Sequence, residues 1–398
     1  MTLLRPQGEG GARCINRHYR IGNDDNNTLG LVRRIMPTSS EAIQQVSGPG
    51  AATLSSTPEA PTRWLRSPGF DLSFIAGIPA LAILTALVIV WQPSLFLPIL
   101  LFDLWFLGYH HVISTYTRLC FDGKSFAASR ILIFGLLPLV AITTGIVAAV
   151  AGLWAIVSVY FYWQWFHYTR QSWGISRAYR GKDRDALYED GWIDQAVFYA
   201  LPILGVLYRS HQDPGLFIGL ELRVVPVPGW LVSAVAAATV VLIAYWVLRR
   251  VQAWRARRLA LVHTLYMSSH FLIFAVGYLL IDDITYGWLA INIWHNAQYI
   301  LFVWLFNTRR FKDGIDPQAR FLSYISQAQR RWLYLLTCVG ITGVIYWGIL
   351  GTLNALFFAG LSATIVLYQI VNFHHYVVDA MIWKLRKAPM RRTLGLAD

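Results

Sequence analysis

Between residues 70 and 383 the sequence is a succession of apolar blocks of about 20 residues each, and that block length is the strongest constraint on the fold. A helix rises about 1.5 Å per residue, so such a block covers a hydrocarbon layer about 30 Å thick. In that layer every backbone N–H and C=O must be satisfied without water, which a helix achieves within its own segment. Window hydropathy places candidate spans at roughly 70–92, 95–117, 130–151, 153–176, 193–209, 229–248, 259–281, 285–306, 332–352 and 354–383. Pro93, Gly152 and Gly351 punctuate very short turns, which suit antiparallel neighbours. The expected fold class is all-α: a polytopic integral membrane bundle of about ten transmembrane helices. Composition agrees, with 56% of residues hydrophobic and only 14% charged, where soluble domains carry about a quarter. A soluble enzyme is excluded. Cys14, Cys120 and Cys338 stand far apart with no CxxC spacing, which excludes a disulfide scaffold or a zinc ribbon.

Residues 1–66 are rich in Gly, Ser, Thr, Pro and Asn, have no apolar run, and are expected to be disordered. They also lack the apolar core of a signal peptide. Residues 67–384 form the transmembrane domain and 385–398 a basic cytoplasmic tail. The net charge of +13 marks a basic cytoplasmic face rather than a nucleic-acid partner. Basic residues crowd every second loop: Arg118, Lys124 and Arg130; Arg177, Arg180, Lys182 and Arg184; the segment 249–258; and the segment 309–331. With Arg63 and Arg66 before the first span and the basic tail after the last, this alternation places both termini in the cytoplasm. The expected location is a bacterial cytoplasmic membrane.

The chemistry lies in the histidines. Of ten, eight fall inside predicted spans: His110, His111, His167, His263, His270, His295, His374 and His375. Ionisable side chains are costly in lipid, so this enrichment runs against the background. Measured from the cytoplasmic ends, all eight lie roughly 6–18 Å deep, in one layer contributed by five helices. Imidazole is the commonest protein ligand for zinc, copper and non-haem iron. Eight donors exceed what one tetrahedral ion takes, which points to two metals. His263 and His270 lie nearly on one face, about 10.5 Å apart along the axis, and would each serve a different ion. In the pairs His110–His111 and His374–His375 the side chains diverge by about 100°, so both members ligate or one ligates while the other packs. Asp379, one turn after His375, is placed to orient an imidazole or to ligate. Asp103 is an intramembrane carboxylate that calls for a cation or a structural donor nearby. Gln164, Gln171, Asn292, Asn296 and Gln298 surround the histidines as supporting polar groups.

With its motifs Tyr109-His110-His111, Trp294-His295-Asn296-Ala297-Gln298-Tyr299 and Asn372-Phe373-His374-His375-Tyr376, the histidine cluster resembles that of the integral membrane non-haem di-iron oxygenases. These are the fatty acid desaturases, fatty acid and sterol hydroxylases, and alkane hydroxylases. The similarity covers the cluster alone, for the family's HxxxH and HxxHH boxes are absent. The bacterial carotenoid-cleaving membrane oxygenases are a second analogue. The resemblance implies two iron ions, dioxygen as co-substrate and an acyl chain or isoprenoid as lipid-soluble substrate; by their positions near the histidines, Asp379 and Asp103 are the candidate catalytic carboxylates. It also implies a separate electron carrier, acidic if it docks on the basic loops 249–258 and 307–331. A transporter with a histidine-lined pathway is the rival expectation, and a haem protein a third.

Overall fold

The computed structural model describes residues 63–183, 185–186, 190–358 and 361–396. The expectation of disorder over 1–66 falls, for residues 1–62, outside the described residues, as do His18, Cys14 and Arg184. The described chain is almost entirely helical. Its long rods are α1 (Pro68–Trp91), α2 (Pro93–Cys120), α3 (Ile131–Ala151), α4 (Leu153–Lys182), α5 (Gly191–Gln212), α6 (Gly229–Arg255), α7 (Leu261–Leu280), α8 (Ile284–Arg310), α9 (Ala328–Leu356) and α10 (Leu361–Ile382). Seven of them, all but α4, α8 and α10, are long and apolar enough to cross a membrane. The three exceptions carry His167, His295, His374 and His375, and the polar residues around those histidines depress their hydropathy. A two-stranded hairpin, Leu216–Phe217 with Leu220–Glu221, tips the α5–α6 connection and buries Phe217 against Trp288.

Local chemistry sets the ends of the rods. Pro93 occupies the first position of the turn that opens α2, where its missing N–H costs nothing. Gly152 adopts φ +92° between α3 and α4, a conformation that side-chain-bearing residues avoid. Asp283 caps α8, its carboxylate accepting from the backbone of Thr285 (2.7 Å) and Tyr286 (3.0 Å). The entering chain is tied down as well. Asp71, fully buried, accepts backbone N–H groups from Leu65, Arg66 and Ser67 and the Tyr179 hydroxyl of α4 at 2.6 Å. Order therefore begins before residue 67. The C-terminal tail likewise contains a helix, Ala388–Leu394, whose Met390 and Leu394 are buried.

The layering follows from which rods are apolar all round. α8 is buried on every side from Gly287 to Asn296. It packs against α1, α2 and α7, while α10 packs against α2, α3 and α4. In α3 only 6% of the most apolar window is buried and in α6 only 11%, and both expose Ile, Val and Leu outward. That pattern suits a lipid solvent and would be insoluble in water. The outer rods thus shield a polar centre built from α2, α4, α8 and α10. Asp194, near the start of α5, belongs elsewhere: it joins Arg180 of α4 at 2.7 Å, Trp246 Nε1 of α6 at 3.0 Å and Arg250 of α6, tying three helices together.

Candidate metal centre

Four imidazoles from four different helices meet in the centre: His111 (α2), His167 (α4), His295 (α8) and His375 (α10). Candidate ligand nitrogens of His111, His167 and His375 all lie within 4.8 Å of one another. The His295 ring stands 5.0 Å from those of His111 and His167, and the rings of His111 and His375 are 4.4 Å apart. All four residues are buried, and the Nε2 atom of each is sealed from solvent without a hydrogen-bond partner. Buried polar atoms are almost always satisfied, because leaving one bare costs about 1–3 kcal/mol. Three such nitrogens close together, with a fourth imidazole beside them, are what a cation requires, since nitrogens sharing an ion at about 2.1 Å can stand at most about 4.2 Å apart. The 4.8 Å envelope is a small side-chain adjustment from that limit.

Backbone and side chains fix the tautomers. α2 widens into a π-helical turn at Leu104–Tyr109, just ahead of the histidine pair. Such turns free carbonyls from the regular ladder and recur at functional sites. Here the carbonyl of Gly108 accepts from His111 Nδ1 at 3.1 Å, and that of Phe106 from His110 Nδ1 at 3.1 Å. A carbonyl only accepts, so Nδ1 carries the proton and Nε2 the lone pair. In α10, His375 Nδ1 lies 2.9 Å from Thr115 Oγ, which in turn donates to Asp379 Oδ1 at 2.9 Å. With that hydroxyl proton directed at the carboxylate, His375 Nδ1 is the donor and its Nε2 is bare. The Tyr299 hydroxyl donates to Asp379 Oδ1 at 2.7 Å, lies 2.5 Å from Thr115 Oγ, and accepts from Trp383 Nε1 at 2.9 Å. Asp379 Oδ2 stands 3.6 Å from His375 Nε2 and has no hydrogen-bond partner.

The other four intramembrane histidines lie apart from this cluster, and hydrogen bonding explains why. His270 meets Phe198 O with Nε2 (3.1 Å) and Ser172 Oγ with Nδ1 (3.2 Å), and it stacks on Phe198 at 3.6 Å. His263 Nε2 bonds Ser176 Oγ at 3.1 Å. The face of α7 that appeared to offer two ions a ligand each is instead bonded to the Ser172–Ser176 stripe of α4. His374 is engaged at both nitrogens, by Tyr116 Oη at 2.5 Å and Leu132 O at 2.7 Å. His110 keeps a bare buried Nε2 but points away from His111, as adjacent helical positions must. Asp103 does not touch the cluster either. Its Oδ2 accepts from Asn292 Nδ2 at 2.6 Å, Asn292 Oδ1 accepts from Tyr168 Oη at 2.6 Å, and the Tyr168 ring lies over His295 with centroids 4.1 Å apart. Asp103 thus reaches the cluster indirectly, through Asn292 to Tyr168.

Thr115, Tyr299 and Trp383 support the site although the sequence did not single them out. Thr115 stands four residues after His111 and Tyr299 four after His295, so each shares its histidine's helical stripe. That spacing was the available signal. Thr115→Val should leave the fold intact and weaken metal retention about 10–100-fold, because His375 Nδ1 then loses the acceptor that orients its ring. Competition with a graded chelator series would measure it, and unchanged retention would remove Thr115 from the site.

Two spaces adjoin the cluster. One is a polar cavity of about 10 Å³, room for about one water, lined by His111, Tyr160, Tyr168, Asn292, Asn296 and Tyr376 among others. The other is a cleft of about 250 Å³ between α4 and α10, whose walls include Trp163, Phe166, Tyr376 and Trp383 and which reaches His167 and Asp379. Fold and site together define a helical bundle of membrane type with a buried imidazole cluster open to an apolar cleft. The chain matches no protein-family model, no curated protein and no solved structure.

Proposed function

We propose that this protein is a membrane-embedded non-haem metal oxidoreductase that uses dioxygen on a lipid-soluble substrate, an acyl chain or isoprenoid. The observation that supports it is the approach of candidate ligand nitrogens of His111, His167 and His375 to within 4.8 Å, with the His295 ring beside them and His167 on the wall of the cleft. The donors fit a metal: His111, His167, His295 and His375 would hold it, with Asp379 beside His375 as orienting group or further ligand. Four converging imidazoles support one ion per chain, whereas two ions would need donors that His270 and His374 have committed elsewhere. Neutral imidazoles with one carboxylate suit iron, and a ferrous ion with an open position would supply dioxygen activation. Trp163, Phe166 and Trp383 line the cleft with apolar rings, and the Thr115–Tyr299–Asp379 triangle can hold and hand on a proton one turn from His375.

In this proposal all ten rods cross a bacterial cytoplasmic membrane with both termini inside, since the basic loops then share one side. Electrons would come from an acidic carrier docking on those loops. Elemental analysis of detergent-purified protein should find about one iron per chain, with oxygen uptake that needs both a reductant and added long-chain lipid. Zinc in place of iron with no oxygen uptake would sink the oxygenase assignment. Protein free of metal would return the histidines to a structural or transport role.

A further inference from the structure

The cleft has a chemical polarity that the proposed activity does not use. On α4 its lining residues are Trp163, Phe166, His167, Arg170, Gln171 and Gly174. Their spacing of 0, 3, 4, 7, 8 and 11 keeps them on one helical stripe about 16 Å long. The facing wall is Tyr376, Val377, Asp379 and Ala380 of α10, with Trp383 just beyond it and Tyr299 and Phe302 of α8. Aromatic rings line both ends, Trp163, Phe166 and Tyr376 at one and Phe302 and Trp383 at the other. Phe166 is 45% exposed on the outer surface, so the cleft opens sideways toward lipid at the level of the histidines. At Gly174 an added Cβ would meet nothing within 4 Å, which leaves the opposite end wide. Arg170 lies between the two ends, one turn from His167 and on the cleft wall. Among the described residues no carboxylate pairs with it; Tyr199 interacts with the same guanidinium but is neutral. Arg170 is the cleft's one basic side chain besides His167, and the Asp379 carboxyl lies on the opposite wall.

We infer that the cleft binds a single-chain amphiphile with a carboxylate head, held by Arg170 and with its alkyl chain running past His167 toward Trp163. The inference deepens the proposed oxidoreductase and rests on it only for the claim that His167 holds a metal. A guanidinium presents two parallel donors that match a carboxylate, and one unpaired charge suits a monoanion. The cleft, about 250 Å³ and open at its side, takes in part of one alkyl chain. Because Arg170 and His167 are three residues apart, about 4.5 Å along the axis, the carbons brought to the cluster are those nearest the head.

The test is binding, read without turnover, on full-length protein in nanodiscs of zwitterionic lipid. cis-Parinarate serves as the fluorescent probe, excited through the tryptophans, with palmitate and hexadecanol as competitors. Palmitate should displace it at least tenfold better than hexadecanol. Arg170→Gln should remove that preference while leaving metal content and hexadecanol competition unchanged, and Gly174→Trp should abolish displacement by either. Equal competition by acid and alcohol in the unaltered protein, or an unchanged preference in Arg170→Gln, would overturn the inference. The same measurement on His375→Ala separates the two ideas: carboxylate preference retained without metal supports the binding site whatever becomes of the oxidoreductase.

Discussion

His375→Ala will remove the proposed metal from the purified protein, whereas His270→Ala will leave it bound. Both residues are fully buried in long helices, and the sequence treats them alike. Their surroundings differ. His375 Nδ1 is held by Thr115 while its Nε2 faces His111 and His167 bare. His270 spends one nitrogen on Ser172 and the other on Phe198 O, so no lone pair is left for a cation. Removing one of four imidazoles should lower metal occupancy at least tenfold, as loss of an outer-shell partner alone costs about 10–100-fold in affinity. His270→Ala should instead lower the thermal midpoint through the cavity and the lost hydrogen bonds, with metal per chain unchanged. Elemental analysis beside a detergent thermal-shift curve reads both. Equal metal loss in the two variants would mean that the converging nitrogens do not form the site.

Gly287→Ala will be the most disruptive glycine-to-alanine change among the described residues. Gly277 of α7 and Gly287 of α8 meet across the hairpin that joins these helices, close enough that a Cβ on Gly287 would drive into the carbonyl oxygen of Gly277. Neither atom can yield, because both are backbone. A Cβ on Gly277 would likewise come within 2.6 Å of Ile291 and 2.7 Å of Gly287 O. Small residues at such crossings let helices approach closely, which in lipid is much of what holds them together. The methyl should cost about 3 kcal/mol or more, at the upper end for overpacking. Gly145→Ala in α3, where the added Cβ meets nothing within 4 Å, is the matched control and should be neutral or slightly stabilising. Because α8 carries His295 two turns beyond Gly287, metal retention should fall along with stability. A thermal midpoint within about 1 °C of the control would refute the close approach.

Helix positions were readable in the chain with little loss, because hydrocarbon-spanning length and the Pro93 and Gly152 breaks are local properties. The described rods follow the apolar blocks closely, even where α4, α8 and α10 fall below the hydropathy of the rest. The histidine layer was readable too, as a departure from what lipid tolerates. Which histidines face one another was not. Depth along an axis is a matter of counting residues, but azimuth depends on how each rod is rotated against its neighbours, and that is decided by packing among residues far apart in sequence. His263 and His270 share a face, as their spacing requires, yet the face packs on Ser172 and Ser176. His110 and His111 differ by one position, and only His111 turns inward to the cluster.

By itself, then, the sequence determined that the chain is helical, that its helices suit a bilayer, and that imidazoles crowd one depth of it, since each property follows from local length, composition and the cost of polar atoms in lipid. Tertiary structure alone decided that four of those imidazoles share a centre, that Thr115, Tyr299 and Asp379 brace it, and that an apolar cleft opens beside it. Those facts require atoms more than a hundred residues apart to arrive within hydrogen-bond reach, and only the mutual packing of α2, α4, α8 and α10 brings them there.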